Sequence, residues 1–120
     1  MKKVLITGID SFSGVYLSSY LEKSGYDVHG TSLTKTDTKK YKCDITSKKE
    51  IIDVLNKIEP DYLIHLSGIS FAAHENNEDF YRVNTIGTLN ILDAFSKPYS
   101  QQTGHSELLL SIGTIFFGGE

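Results

Sequence analysis

The sequence is poor in cysteine, in long apolar runs and in any surplus of one charge. Its single cysteine, Cys43, excludes an internal disulfide and a cysteine-based zinc site, and fits a reducing cytoplasm. No apolar run approaches the roughly 20 residues of a membrane span. Met1-Lys2-Lys3 is followed only by Val4, Leu5 and Ile6 before Thr7-Gly8, too short a stretch for a signal peptide. With 12 Lys and Arg against 15 Asp and Glu, the net charge is −3, which draws the chain toward neither nucleic acid nor an acidic membrane. Repeats and low-complexity tracts are lacking as well. His29 and His74 stand at no metal-ligand spacing with carboxylates or with each other, so no metal site is expected.

What is present is ordinary in amount and ordered in pattern. The 120 residues make one domain or part of a larger one, with 39% hydrophobic and 22% charged residues. Everything is organised around Val4–Leu21, VLITGIDSFSGVYLSSYL. A short apolar strand runs into the Thr7-Gly8 turn, then into Gly14 and a helix. Such a unit gathers backbone N–H groups and the positive end of a helix at one point, which suits a pyrophosphate. The spacing is Gly8-x-x-Ser11-x-x-Gly14, with serine in the middle slot where a glycine would let phosphate approach most closely.

Phe12, Val15, Tyr16, Leu17, Tyr20 and Leu21 predict a broad apolar face on the first helix, which Ser24-Gly25 ends. Tyr26–Thr31 reads as a second strand, parallel to the first because the return is short. A lysine- and threonine-rich loop follows, and Lys42–Ile45 reads as a third strand. Ser47-x-x-Glu50 is a capping box that opens a second helix with Ile51, Ile52, Val54, Leu55 and Ile58, stopped before Pro60. Asp61–Leu66 is a nearly continuous apolar strand, as expected for one buried on both faces. Ser67-Gly68 turns into a third helix carrying Phe80, Val83, Ile86, Ile91, Leu92 and Phe95, and Leu108–Ile112 is a further strand. The alternation of strand and helix predicts an α/β fold: a doubly wound, mostly parallel sheet of about five strands with helices on both faces.

Several polar residues fall where such a sheet binds ligands. Ser32, after the second strand, stands where a carboxylate would hold the adenosine ribose hydroxyls of NAD. Serine does not repel a 2′-phosphate, and Lys35, Lys39 and Lys40 follow closely, so the site leans slightly to NADP; no arginine lies near it in sequence. Alternatively, Ser32 only starts a loop and the lysines are solvated. Asp44 either accepts from the adenine amino group or is a loop aspartate. His65, inside an apolar strand, reads as a packed core residue. Asn84 faces either the surface or the site. Ser111 and Thr114 sit at the carboxyl end of the last strand, where a hydroxyl can serve a reacting oxygen or simply form a turn.

Taken in order, these segments resemble the amino-terminal part of the extended short-chain dehydrogenases/reductases, in the nucleotide-sugar branch of GDP-mannose and UDP-glucose dehydratases, reductases and epimerases. TGIDSFSG is similar to that family's TGxxGFxG, CDIT to its DL/DI motif, PDYLIHLSG to PDxVxHLAA, and NTIGTLNILDA to NxxGTxNxLxA. The resemblance implies a Rossmann-type sheet that binds NAD or NADP. Gly8, Ser11, Phe12, Ser13 and Gly14 would wrap the pyrophosphate, and Asp44 and Ile45 would hold adenine. Leu66, Ser67 and Gly68 would line the nicotinamide side, Asn84 would contact the cofactor, and Thr114 or Ser111 would be the catalytic hydroxyl. It also implies a nucleotide-sugar substrate in a full-length enzyme and a homodimer.

One departure stands out. The family's proton donor is a tyrosine with a lysine four positions later, and none of the seven tyrosines has one. The chain is therefore expected to be residues 1–120 of a longer enzyme, the cofactor portion without its substrate-binding portion. The alternative is a non-catalytic dinucleotide-binding sensor or regulatory domain.

Overall fold

A computed structural model describes residues 1–34, 36–66, 82–95 and the backbone of 107–110. Five strands form one sheet: β1 (Lys3–Thr7), β2 (Asp27–Ser32), β3 (Lys40–Lys42), β4 (Tyr62–His65) and β5 (Glu107–Leu110). Their order is β3-β2-β1-β4-β5, and every neighbouring pair is parallel. Among the described residues the helices are α1 (Phe12–Lys23), α2 (Lys48–Ile58) and α3 (Gly87–Ala94), the last preceded by a π-turn over Arg82–Ile86.

Alternation along β1 explains the two layers. Val4 and Ile6 point to one face, where they join Ile9, Val28 and Leu66 beneath Leu17 and Leu21 of α1. Leu5 points to the other, where it meets Leu63 and the buried stripes of α2 and α3: Ile51, Val54, Leu55 and Ile58, then Ile91, Ala94 and Phe95. Period two in a strand set against period 3.6 in the helices makes the sheet doubly wound, as expected.

Five local expectations need correction. The apolar face of α1 is narrower than its composition suggests. Gly14 is buried and Leu17 and Leu21 reach the core, whereas Phe12, Val15, Tyr16 and Tyr20 are 81%, 55%, 71% and 68% exposed. Positions 12, 16 and 20 lie roughly opposite 14, 17 and 21 at about 100° per residue, so one helix cannot bury both sets against one sheet. β3 lies at Lys40–Lys42, so Cys43–Ile45 forms the turn after it rather than the strand. Ser32 is the last residue of β2 and only 7% exposed, not the first of a loop. The third helix opens as a π-turn, and β5 begins one residue earlier than expected.

The capping box of α2 forms in part. Ser47 Oγ accepts the Glu50 N–H at 3.3 Å, but the Glu50 carboxylate reaches past Ser47 and accepts the Asp44 N–H at 3.0 Å. The Ser47 N–H donates to the Asp44 carbonyl at 2.9 Å instead. The helix start is thereby tied to the turn that follows β3. At its other end Glu59 takes a left-handed conformation, φ 53°, before Pro60. Among the described residues no helix is long and apolar enough to cross a membrane.

Candidate functional site

Parallel strands end on the same side of a sheet, so the turns after β1, β2 and β3 are gathered at one edge. They enclose a cleft of about 470 Å³. Gly8, Ser11, Ser32, Asp44, Ile45 and Leu66, all singled out in the sequence, line it together.

The glycine turn supplies its near wall. Gly8 has φ 72°, a conformation that strains any residue with a Cβ. Gly14 is constrained by contact instead: a Cβ there would lie 2.7 Å from the Ile9 carbonyl oxygen and closer still to that of Gly8. Because backbone cannot retreat as a side chain can, α1 can start this close to β1 only with glycine at that position. Ser11 is the N-cap of α1, and its hydroxyl accepts the Gly14 N–H at 3.0 Å. The serine in the middle slot therefore holds the first turn of the helix. Phe12, exposed, and Ser13 and Gly14 are not among the residues facing the cleft.

The second wall is the end of β2. Thr31 accepts the Gly8 N–H on its hydroxyl at 3.4 Å and the Ile9 N–H on its carbonyl at 3.1 Å, which locks the two turns together. Ser32 Oγ accepts the Thr34 N–H at 3.3 Å. The lysines that follow do not reach the cleft. Lys39 is paired with Asp27 and Lys40 with Asp10, each at 2.8 Å. Lys35 lies outside the described residues. Asp10 lines the cleft, so its pairing with Lys40 offsets a negative charge beside the glycine turn.

The far wall is the turn after β3. Asp44 Oδ1 accepts from the Thr46 hydroxyl at 2.7 Å and the Thr46 N–H at 2.9 Å. These bonds, with the positive charge of Arg82, hold the Asp44 carboxyl below the usual carboxylate range. Beneath it, burial pushes the Cys43 thiol up to about 12, so it stays protonated. The start of α3 fastens this wall. Asn90 Nδ2 donates to the Ile45 carbonyl at 3.0 Å. At Gly87 an added Cβ would come within 2.7 Å of Ile45 Cγ1, so the helix seats directly on that side chain. An ion pair between Lys48 and Asp93 ties α2 to α3. A π-turn carries one more residue per turn than an α-helix. Arg82 and Val83 can thus face the cleft while Gly87 and Asn90 keep their seat on Ile45. Asn84 is buried in that turn, which removes the surface-facing alternative, and it is not among the residues lining the cleft.

Below the cleft, His65 is 2% exposed and satisfied on both ring nitrogens. Thr7 Oγ1 accepts the Leu66 N–H at 3.0 Å and shares a hydrogen bond with His65 Nδ1 at 2.6 Å. Its Nε2 shares a hydrogen bond with Thr88 Oγ1 at 3.1 Å. His65 is a core residue, as expected, and burial lowers its pKa to about 4.

Ser67, Gly68, Ser111 and Thr114 lie outside the described residues. Sequence reasoning missed Asp10, Thr31, Leu33, Thr34, Cys43, Thr46, Arg82 and Val83 as cleft residues. Leu33 carried a signal, an apolar residue between the second strand and a polar loop, and in the fold it is 65% exposed. Arg82 carried none, since its 50-residue separation from Ser32 is closed only by the fold.

A model of the NAD dependent epimerase/dehydratase family matches residues 4–115. A GDP-6-deoxy-D-talose 4-dehydrogenase of Aggregatibacter actinomycetemcomitans is 37% identical over 91 residues, covering 75% of this chain and 29% of that protein. A GDP-mannose 4,6-dehydratase of Yersinia enterocolitica is 30% identical over 115 residues, covering 78% and 31% respectively. The chain therefore spans under a third of the length of these curated relatives. Among solved structures, UDP-glucose 4-epimerase of Thermus thermophilus in complex with NAD superposes with a TM-score of 0.71 at 22% identity, over 88% of this chain and 36% of that one. A short-chain dehydrogenase of Leptospira borgpetersenii with bound NAD+ gives 0.76 at 24%, over 91% and 50%. At these identities the two structures bear on the fold.

Proposed function

The chain belongs to the NAD-dependent epimerase/dehydratase family, and on that footing we propose that it carries the dinucleotide-binding part of an enzyme that transfers hydride at a carbon of a nucleotide-linked sugar. The observation that carries this reading is the cleft at the ends of β1, β2 and β3, walled by a glycine turn that admits no Cβ at Gly14. Its residues fit a dinucleotide. Gly8 and Ser11, beside the positive end of α1, would hold the pyrophosphate. Ile45 and Val83 offer an apolar bed for adenine, with the Asp44 carboxylate beside it as an acceptor. Ser32 would face the adenosine ribose. Leu66, Ser67 and Gly68 would border the nicotinamide and Asn84 would support it.

When bound, the nicotinamide supplies or accepts hydride. Thr114 or Ser111 would hydrogen-bond the sugar oxygen at the reacting carbon. Two relatives, a GDP-6-deoxy-D-talose 4-dehydrogenase and a GDP-mannose 4,6-dehydratase, support a GDP-linked hexose as substrate. A homodimer working in the cytoplasm completes the reading. Either NAD or NADP suits the family, and a serine at the end of β2 tilts the site toward NADP.

A second reading, a dinucleotide-binding sensor without catalysis, rests on the same cleft and needs no catalytic tyrosine. Calorimetric titration of the 120-residue chain with NADH and NADPH tests what both readings share. Saturable heat with one or both is expected, and none from a folded sample would overturn the cofactor assignment. The gene beyond Glu120 separates them. A Tyr-x-x-x-Lys there supports the enzyme, and a stop codon supports the sensor.

A further inference from the structure

We propose that Arg82 recognises the 2′-phosphate of the adenosine ribose, making it the residue that selects NADP(H) over NAD(H). This rests on the dinucleotide reading of the cleft and adds the chemical group that discriminates between the two cofactors. The two differ by one phosphate on the adenosine ribose. A site that prefers NADP needs a cation there and must lack the carboxylate that would pair with the ribose hydroxyls.

Both conditions meet in this cleft. The last residue of β2 is Ser32, and the next two positions, Leu33 and Thr34, also line the cleft without a carboxylate. Of the lysines that follow Ser32, Lys39 holds Asp27 and Lys40 holds Asp10, neither is among the residues lining the cleft, and Lys35 lies outside the described residues. Among the described residues lining the cleft, Arg82 is the only lysine or arginine, and it is the only arginine in the sequence.

Its placement is set by the fold. Asn90 and Gly87 seat α3 on Ile45, which brings the preceding π-turn alongside the Asp44–Thr46 turn. The Asp44 carboxylate is the acidic neighbour that could compete for the guanidinium. Its Oδ1, however, is already held by the hydroxyl and N–H of Thr46. A guanidinium carries five donors in a planar fork, so one edge can lean on a carboxylate while another serves a phosphate. Lysine, a point charge, would not do both.

The test uses the 120-residue chain, titrated with NADPH and with NADH, beside Arg82→Gln and Arg82→Lys. NADPH is expected to bind more tightly than NADH. Arg82→Gln should cost about tenfold in NADPH affinity, the value of one charge-assisted contact, and leave NADH unchanged. Arg82→Lys should recover part of that loss. NADPH affinity should also fall more steeply with added salt than NADH affinity, and Arg82→Gln should remove the difference. Equal affinity of the unaltered chain for both cofactors, or an equal loss for both in Arg82→Gln, overturns the role of Arg82 and leaves the cofactor reading standing. Binding of neither by a folded chain overturns the cofactor reading and this inference with it.

Discussion

Ser11 and Gly14 show how much rests on single atoms in the first turn. The Ser11 hydroxyl accepts the Gly14 N–H at 3.0 Å, satisfying one of the amides that a helix start leaves without a partner. Ser11→Ala should therefore lower the free energy of unfolding by about 1 kcal/mol, and Ser11→Gly by only a few tenths. Urea unfolding followed by circular dichroism measures both, and equal losses would mean the cap contributes nothing. Gly14→Ala is harsher, because the added Cβ meets the carbonyl oxygens of Gly8 and Ile9. A loss of roughly 2 kcal/mol or more is expected, together with loss of NADPH binding in calorimetry. The glycines were legible in the sequence by their place after an apolar strand. The capping task of Ser11 was not, since serine at that spacing suits a phosphate contact as well as a cap, and only the folded turn shows the bond to the Gly14 N–H.

At the scale of elements, the segment NTIGTLNILDA acts as a clamp. Its Gly87 lies on Ile45, Thr88 hydrogen-bonds His65, Asn90 donates to the Ile45 carbonyl, and Asp93 pairs with Lys48. One helix face thus fixes the turn after β3, the end of β4 and the start of α2. Asn90→Ala would leave a buried carbonyl without its donor and should cost about 1–3 kcal/mol. It should also weaken NADPH binding, because the Asp44–Thr46 wall loses its anchor. Normal affinity in a destabilised variant would separate the clamp from the site. In contrast, Tyr20→Ser on the exposed side of α1 should change stability by no more than about 0.5 kcal/mol in urea unfolding. The apolar period of α2 was readable because its stripe is narrow and regular. That of α1 misled because six apolar residues lie on two opposite sides, and the period alone does not say which side meets the sheet.

For the whole molecule, His65 couples stability to pH. It joins β1 through Thr7, β4 through its own strand and α3 through Thr88, and burial lowers its pKa from 6.5 to about 4. Between those values the unfolded chain binds a proton that the folded one excludes, so stability falls as pH drops below about 6.5 and the loss is complete below about 4. The difference of about 2.5 units corresponds to a loss on the order of 3 kcal/mol. Urea midpoints measured across that range should show the slope, and His65→Gln should flatten it. An unchanged slope in the variant would assign the dependence to other groups. By itself the sequence determined the alternation of strands and helices, the parallel sheet and the position of the glycine turn, because each follows from short-range periodicity and chain geometry. Only the tertiary structure decided which side of α1 is buried, that Lys39 and Lys40 are held by Asp27 and Asp10, and that Arg82 stands in the same cleft as Ser32. These are contacts between residues far apart in the chain, and packing across the sheet, which no local pattern encodes, brings them together.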